Sequence, residues 1–93
     1  MDHPDNAPPP DELVEYLVGL WREFLGSGDG APAGPGTNFF VHGGHSLLGI
    51  TLLARVEEST GCKLRLADLF KSPTPERLAG AMRAADTDLV IPQ

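Results

Sequence analysis

The residues best suited to chemistry lie in one stretch, NFFVHGGHSLLG, at positions 38–49. Ser46 follows His45 and a pair of glycines, and it precedes a run of leucines that is typical of a helix. Because glycine tolerates tight turns and close approaches that side chains forbid, Gly43 and Gly44 indicate a turn that delivers the serine to a helix start. A hydroxyl there could serve as a helix cap, a catalytic nucleophile, part of a phosphate-binding loop or an attachment point for a covalent group.

The nucleophile and phosphate-loop interpretations lack residues that they need. The hydrolase elbow G-x-S-x-G requires a glycine where Leu48 stands, and Gly49 comes one place late. A chain of 93 residues also has no room for the parallel sheet of that fold. The phosphate-binding loop needs Gly-Lys before its serine or threonine, and no lysine lies near Ser46. We therefore set both interpretations aside.

Two interpretations of Ser46 stay open. In the first, its hydroxyl is an N-cap that accepts a hydrogen bond from an early helix amide. In the second, the hydroxyl is modified by a phosphate-containing group, because the unpaired amides and the dipole of a helix N-terminus stabilise an attached phosphodiester. The two glycines would then give the modifying enzyme access to the hydroxyl.

The other chemically capable side chains favour structural roles. His42 and His45 are close together, but no third ligand lies nearby, so the sequence predicts no metal site. Cys62 is the single cysteine, which excludes an internal disulfide, and no catalytic histidine can be assigned to it.

The charge balance disfavours two classes of partner. The chain has 7 basic and 13 acidic residues and a net charge of −6, so nonspecific binding to nucleic acid or to an anionic membrane is not expected. No apolar run approaches membrane-spanning length, and residues 1–10 lack the basic and apolar parts of a secretion signal. We expect a cytoplasmic monomer that binds other proteins.

Hydrophobic periodicity predicts an all-α fold with three main helices and one short helix. We expect a flexible proline-rich leader at residues 1–10, a domain at residues 11–86 and a tail or linker at residues 87–93. The first helix begins near Asp11 and has one broad apolar face. This face consists of Leu13, Val14, Leu17, Leu20, Trp21, Phe24 and Leu25.

The remaining elements follow from turn and cap residues. A long first loop over residues 26–37 contains glycine, proline and alanine without apolar periodicity. The second helix spans about residues 46–60, and Gly61 ends it in a left-handed cap. Residues 66–70 form one helical turn, and a Thr-Pro pair starts a last helix over about residues 75–85.

The second helix has apolar residues on two faces. Its core stripe is continuous, but Leu47, Ile50 and Ala54 fall near the opposite side, beside acidic residues. Either the turn at residues 66–70 covers them or they form an exposed surface for a protein partner. Ser46 lies at the end of the same face, so a group attached there would be presented together with the surface.

Three sequence segments together resemble a known family. NFFVHGGHSLLG, LLARVEESTG and LRLADLFKSPTPERLA are similar to the peptidyl carrier domains of nonribosomal peptide synthetases, within the superfamily of acyl carrier proteins. The resemblance covers roughly residues 13–82. It implies a four-helix bundle of the acyl carrier protein type, in which Ser46 carries 4′-phosphopantetheine that a transferase adds from coenzyme A.

The resemblance also implies a function without bond chemistry by the chain itself. The thiol of the arm would hold an aminoacyl or peptidyl group as a thioester and present it to adenylation, condensation, thioesterase or tailoring enzymes. Partner contacts would be made by His45, Leu47, Ile50, Leu69 and Phe70. Within this resemblance, a histidine rather than an aspartate at position 45, after the double glycine, favours a peptidyl or aryl carrier over a fatty-acid or polyketide acyl carrier.

Two alternatives and two departures accompany this interpretation. The chain could instead be an acyl carrier of a polyketide or fatty-acid pathway, or an unmodified helical interaction module in which Ser46 only caps a helix. Thr37 and Asn38 stand where such carriers often have an acid, and the first loop lacks their apolar anchor. We therefore expect a first loop that is longer and looser than usual.

Overall fold

The protein, described by a computed structural model over residues 12–26 and 33–85, is built from four helices. They are α1 (Glu12–Leu25), α2 (Ser46–Thr60), α3 (Leu66–Lys71) and α4 (Pro75–Ala85). The described residues contain no strand, so the predicted all-α fold is confirmed. The predicted leader 1–10, the predicted tail 87–93 and the predicted domain ends at positions 11 and 86 lie outside the described residues.

The four helices share one apolar core. α4 packs mainly against α1, and α3 packs mainly against α2. The buried apolar residues of the core are Leu13, Leu17, Leu20, Trp21, Ala33, Phe39, Leu52, Leu53, Val56, Cys62, Leu69, Leu78, Ala79 and Met82. Arg55 of α2 joins the outer faces of the two longest helices, because its Nη1 lies 3.0 Å from Glu23 Oε2 and its guanidinium stands over the Phe24 ring. No helix in residues 12–26 or 33–85 has the length and apolarity of a membrane span.

The predicted helix ends are set by local hydrogen bonds. Gly61 has φ of 80° and its N–H donates to Glu57 O over 2.8 Å, which is the left-handed cap expected after α2. Thr74 Oγ1 accepts a hydrogen bond from Arg77 N at the start of α4. Asp68 Oδ2 accepts one from Arg65 N and secures the short α3.

The described part of the first loop is tied to the bundle, which corrects the expectation of a loose loop there. Ala33 is fully buried, and its carbonyl accepts a hydrogen bond of 2.9 Å from Arg22 Nε. Trp21 Nε1 donates to Thr37 O over 3.0 Å, and Pro35 O accepts from Glu76 N. A single methyl group and three hydrogen bonds to the helices therefore replace the larger apolar anchor. Residues 27–32 lie outside the described part of the chain.

A row of aromatic rings connects the core to the exposed Phe70 of α3. Trp21 meets Phe39 edge to face, and Phe39 meets Phe40 in the same manner. Phe40 then stacks on Phe70 of α3, with ring centroids 4.6 Å apart and planes inclined by 15°. Because Phe39 is fully buried and its N–H donates to Pro73 O, the segment before α2 is held at several points.

Candidate functional site

Ser46 is the first residue of α2, and its neighbour His45 is the cap. His45 has extended backbone angles, and its Nδ1 accepts a hydrogen bond of 3.3 Å from Leu48 N. The interpretation of Ser46 as the N-cap is therefore wrong, because the residue before it makes the capping bond. This leaves the exposed Ser46 hydroxyl outside the cap and facing solvent.

Gly43 and Gly44 must be glycine for two different structural reasons. Gly43 has φ of 111°, which side chains other than glycine rarely adopt. Gly44 has no positive φ, but a Cβ added to it would collide with the Phe39 ring and carbonyl oxygen. Its N–H also donates to Phe39 O over 2.8 Å. The pair therefore shapes the turn by itself, whether or not an enzyme needs access to Ser46.

Asn38, one of the two residues at which the resemblance implied an acid, forms a side-chain turn. Its Oδ1 accepts hydrogen bonds from Phe40 N at 2.9 Å and from Val41 N at 3.1 Å. An aspartate oxygen could accept the same two bonds. The Asn38 amide therefore meets the backbone requirement of this turn, and it turns Val41 out into solvent, where 84% of that residue is exposed.

Four of the five predicted contact residues lie on the surface. Exposed fractions are 70% for Leu47, 53% for Ile50 and 54% for Phe70, and His45 is exposed as well. The prediction that Leu69 contacts a partner is wrong, because Leu69 is fully buried within the core and cannot meet a partner directly. Whether the exposed four contact a partner stays a prediction.

The position of α3 explains why Leu69 is buried while Leu47 and Ile50 are exposed. A Cβ on Gly49 would lie 3.0 Å from Leu69 Cδ2 and 3.1 Å from Leu66 Cδ1, so α3 packs over the glycine side of α2. The turn therefore does not cover Leu47 and Ile50, which was one of the two alternatives for this face. An open groove of about 220 Å³ between the two helices is lined by Ile50, Leu53, Ala54, Glu57, Leu64 and Leu66.

Val41 belongs to the same exposed apolar set and was missed by the sequence reasoning. It stands in a loop that also contains polar residues, and periodicity says nothing about a loop residue. The signal that could have found it is the asparagine three positions earlier, which starts a side-chain turn. We use the name docking surface for Val41, Leu47, Ile50 and Phe70.

The start of α2 has the features that an attached phosphate needs. Residues 46 and 47 present backbone amides that no preceding helical turn pairs, and the first turn contains no acidic residue. The positive end of the helix dipole points toward the hydroxyl. Within the described residues there is no group of three or more histidine, cysteine, aspartate or glutamate side chains that could hold a metal ion.

Comparison with known proteins agrees with this geometry. The family model described as "Phosphopantetheine attachment site" matches residues 15–82, which include Ser46. The chain is 39% identical over 84 residues to phosphinothricin tripeptide synthetase PhsC of Streptomyces viridochromogenes, covering 89% of this chain and 8% of that protein. It is 35% identical over 91 residues to tyrocidine synthase 2 of Brevibacillus parabrevis, covering 96% of this chain and 2% of that protein. The chain thus spans less than a tenth of these relatives.

Solved structures show the same fold. A crystal structure of a holo four-domain nonribosomal peptide synthetase bound to AMP and glycine matches with a TM-score of 0.75 and 28% identity, over 96% of this chain and 6% of that one. A nonribosomal PCP domain matches with a TM-score of 0.64 and 26% identity, over 78% of this chain and 90% of that one. Because the match includes 90% of that PCP domain, a domain of about this size has the same architecture.

Proposed function

Because the chain belongs to the phosphopantetheine attachment site family, as a carrier domain of the nonribosomal peptide synthetase type, we propose that Ser46 carries the arm. The observation that supports this choice is the exposed hydroxyl at the first position of α2, next to a histidine that makes the capping bond. A serine engaged as the cap would have to give up that hydrogen bond on modification, and Ser46 does not.

The local charges favour the modified state. A phosphodiester on Ser46 Oγ brings a negative charge to the end of α2, where the dipole and two unpaired amides stabilise it. Such an interaction is worth about 0.3–1 kcal/mol at an exposed site. The arm supplies a terminal thiol, and this thiol would hold the aminoacyl or peptidyl group as a thioester. The chain itself would make and break no bonds and would act as the tether.

The docking surface supports transient contact with several enzymes. It consists of exposed apolar side chains from the loop before α2, from α2 and from α3, and Leu47 directly follows Ser46. A surface of four side chains is small compared with stable interfaces, so we expect micromolar contacts that release quickly. The proposed partners are a phosphopantetheinyl transferase and the adenylation, condensation, thioesterase or tailoring enzymes of a peptide pathway, with the carrier acting as a monomer.

Intact-mass measurement tests the attachment residue. The wild-type chain is incubated with coenzyme A, Mg²⁺ and a broad-specificity phosphopantetheinyl transferase, beside Ser46→Ala and the control Ser59→Ala. We expect one added phosphopantetheine on the wild type and on the control, and none on Ser46→Ala. A folded wild-type chain that gains no mass would contradict the proposal and favour the unmodified interaction module.

The rate of the same reaction tests the docking surface. Leu47→Asp removes an exposed apolar contact beside Ser46, and we expect kcat/KM of the transferase to fall about tenfold, which corresponds to about 1.4 kcal/mol. Ala84→Asp introduces the same charge on an exposed position of α4 and serves as the matched control. Equal rates for the two variants would show that the surface around Leu47 takes no part in docking to this enzyme.

A further inference from the structure

Two consecutive phenylalanines precede Ser46, and only the first of them fills the core. Phe39 is fully buried among the apolar core residues. Phe40 is half-buried and packs against the margin of that core. The packing of the bundle and the function proposed above therefore leave the second ring without a role.

The Phe40 ring lies nearly flat against Phe70 of the docking surface. Their ring centroids are 4.6 Å apart, and their planes are inclined by 15°. Phe70 is exposed, but the stack covers one face of its ring. A partner enzyme can therefore reach the opposite face and the edge of the Phe70 ring, and not the face that Phe40 covers.

Phe40 is itself held from two sides. Its ring meets Phe39 edge to face, with centroids 5.3 Å apart and planes inclined by 84°. Its backbone N–H donates to Asn38 Oδ1 over 2.9 Å. Phe39 is fixed in turn, because it is fully buried and its N–H donates to Pro73 O over 2.8 Å. The Phe40 ring is therefore a fixed support for the side chain that stacks on it.

The short helix α3 does not fix the Phe70 side chain by itself. The helix has six residues, and its one buried residue is Leu69. Leu69 packs beside Gly49 of α2 and anchors the backbone of α3, whereas Phe70 is exposed. An exposed side chain without a neighbour changes rotamer within nanoseconds, and ordering it on binding costs free energy. The stack on Phe40 orders the Phe70 ring before a partner arrives.

We propose that Phe40 is a positioning residue for docking, which holds the Phe70 ring in the orientation that partner enzymes bind. The inference rests on the proposed carrier function, and it adds a residue that lies outside the docking surface. Aromatic pairs are favourable beyond the area that they bury, so the stack can favour one orientation of an exposed ring. Removal of the Phe40 ring should therefore weaken docking about as much as removal of the Phe70 ring.

NMR of the full chain tests the stack without reference to function. With labelled phenylalanine rings, we expect NOEs between Phe40 and Phe70 in the wild type, and an upfield shift of the Phe70 ring protons that Phe40→Leu abolishes. The Cα shifts of α3 should stay helical in this variant, because Leu69 keeps the helix in place. The absence of NOEs between the two rings in the wild type would overturn the proposal. Loss of the helical Cα shifts would also overturn it, since Phe40 would then hold the helix and not the ring.

A double-mutant cycle of the attachment reaction tests the positioning role. The value of kcat/KM for the phosphopantetheinyl transferase is measured for Phe40→Leu, Phe70→Leu and the double variant. We expect a fall of about fivefold in each single variant and about the same fall in the double variant, because Phe40 acts through Phe70. The fall should lie in KM, since Ser46 is unchanged. A fall of about 25-fold in the double variant would mean that Phe40 meets the enzyme independently, and the proposal would be wrong.

Two matched variants serve as controls for the cycle. Phe40→Tyr keeps the ring face, so it should keep the wild-type kcat/KM. Phe24→Leu makes the same substitution as Phe40→Leu at a half-buried ring of α1, which stands under Arg55 and outside the docking surface, and it should also keep the wild-type value. If Phe40→Tyr lost as much rate as Phe40→Leu, or if Phe40→Leu lost none, the ring face of Phe40 would have no part in docking.

The outcomes separate this inference from the proposed function. A wild-type chain that gains no phosphopantetheine would contradict the proposed function, and the positioning role of Phe40 would fail with it. Normal modification of the wild type together with independent effects in the cycle would refute the positioning role alone.

Discussion

Gly44→Ala tests whether the second glycine before Ser46 is required by packing. The backbone of Gly44 is not in the left-handed region, so alanine is acceptable to its local conformation. The new methyl group would, however, overlap two ring carbons and the carbonyl oxygen of Phe39. Phe39 cannot easily withdraw, because it is fully buried, meets Trp21 edge to face and donates its N–H to Pro73 O.

The expected cost follows from overpacking a buried site. Extra methyl groups in a well-packed core typically cost about 1–3 kcal/mol. For a domain of 60–100 residues, each kcal/mol shifts Tm by about 4–8 °C. We therefore expect Gly44→Ala to lower the free energy of unfolding by about 2 kcal/mol and Tm by about 8–16 °C.

Thermal unfolding followed by circular dichroism measures this effect against a matched control. Gly80→Ala makes the same substitution at an exposed position of α4, where the new Cβ would meet no atom within 4 Å. Alanine favours the helix there by up to about 1 kcal/mol, so Tm should rise. If Gly44→Ala proved as stable as the wild type, the collision with Phe39 would not be the reason for the glycine. Enzyme access to Ser46 would then be the better explanation.

Two further predictions concern residues whose roles the structure separates. His45→Ala should lower the free energy of unfolding by about 0.5 kcal/mol, at the low end for a lost cap because the bond is exposed and 3.3 Å long. His45→Asp should restore most of it in urea unfolding, and an unchanged His45→Ala midpoint would contradict the capping role. Leu69→Ala should cost about 2–5 kcal/mol by the same assay. Phe70→Ala should cost clearly less and instead slow the transferase, and the reverse order would refute the assignment of Leu69 to the core.

The sequence by itself determined the helices and the candidate for attachment. The first apolar face, the cap at Gly61 and the Thr-Pro start of α4 depend on residues within one or two turns of each other, so their pattern can be read directly. The helix wheel likewise separates Leu47 and Ile50 from the core stripe, but it left open whether the turn at residues 66–70 covers them. The packing of α3 on α2 decided that they are exposed.

The tertiary structure decided which apolar residues are covered and which polar group makes each contact. Leu69 and Phe70 are adjacent in a six-residue helix, yet one is buried and the other exposed, because α3 rests on the glycine side of α2. Ala33 anchors the described end of the first loop only because Arg22 and the core meet it there. These outcomes depend on contacts between distant parts of the chain, and no local pattern records them.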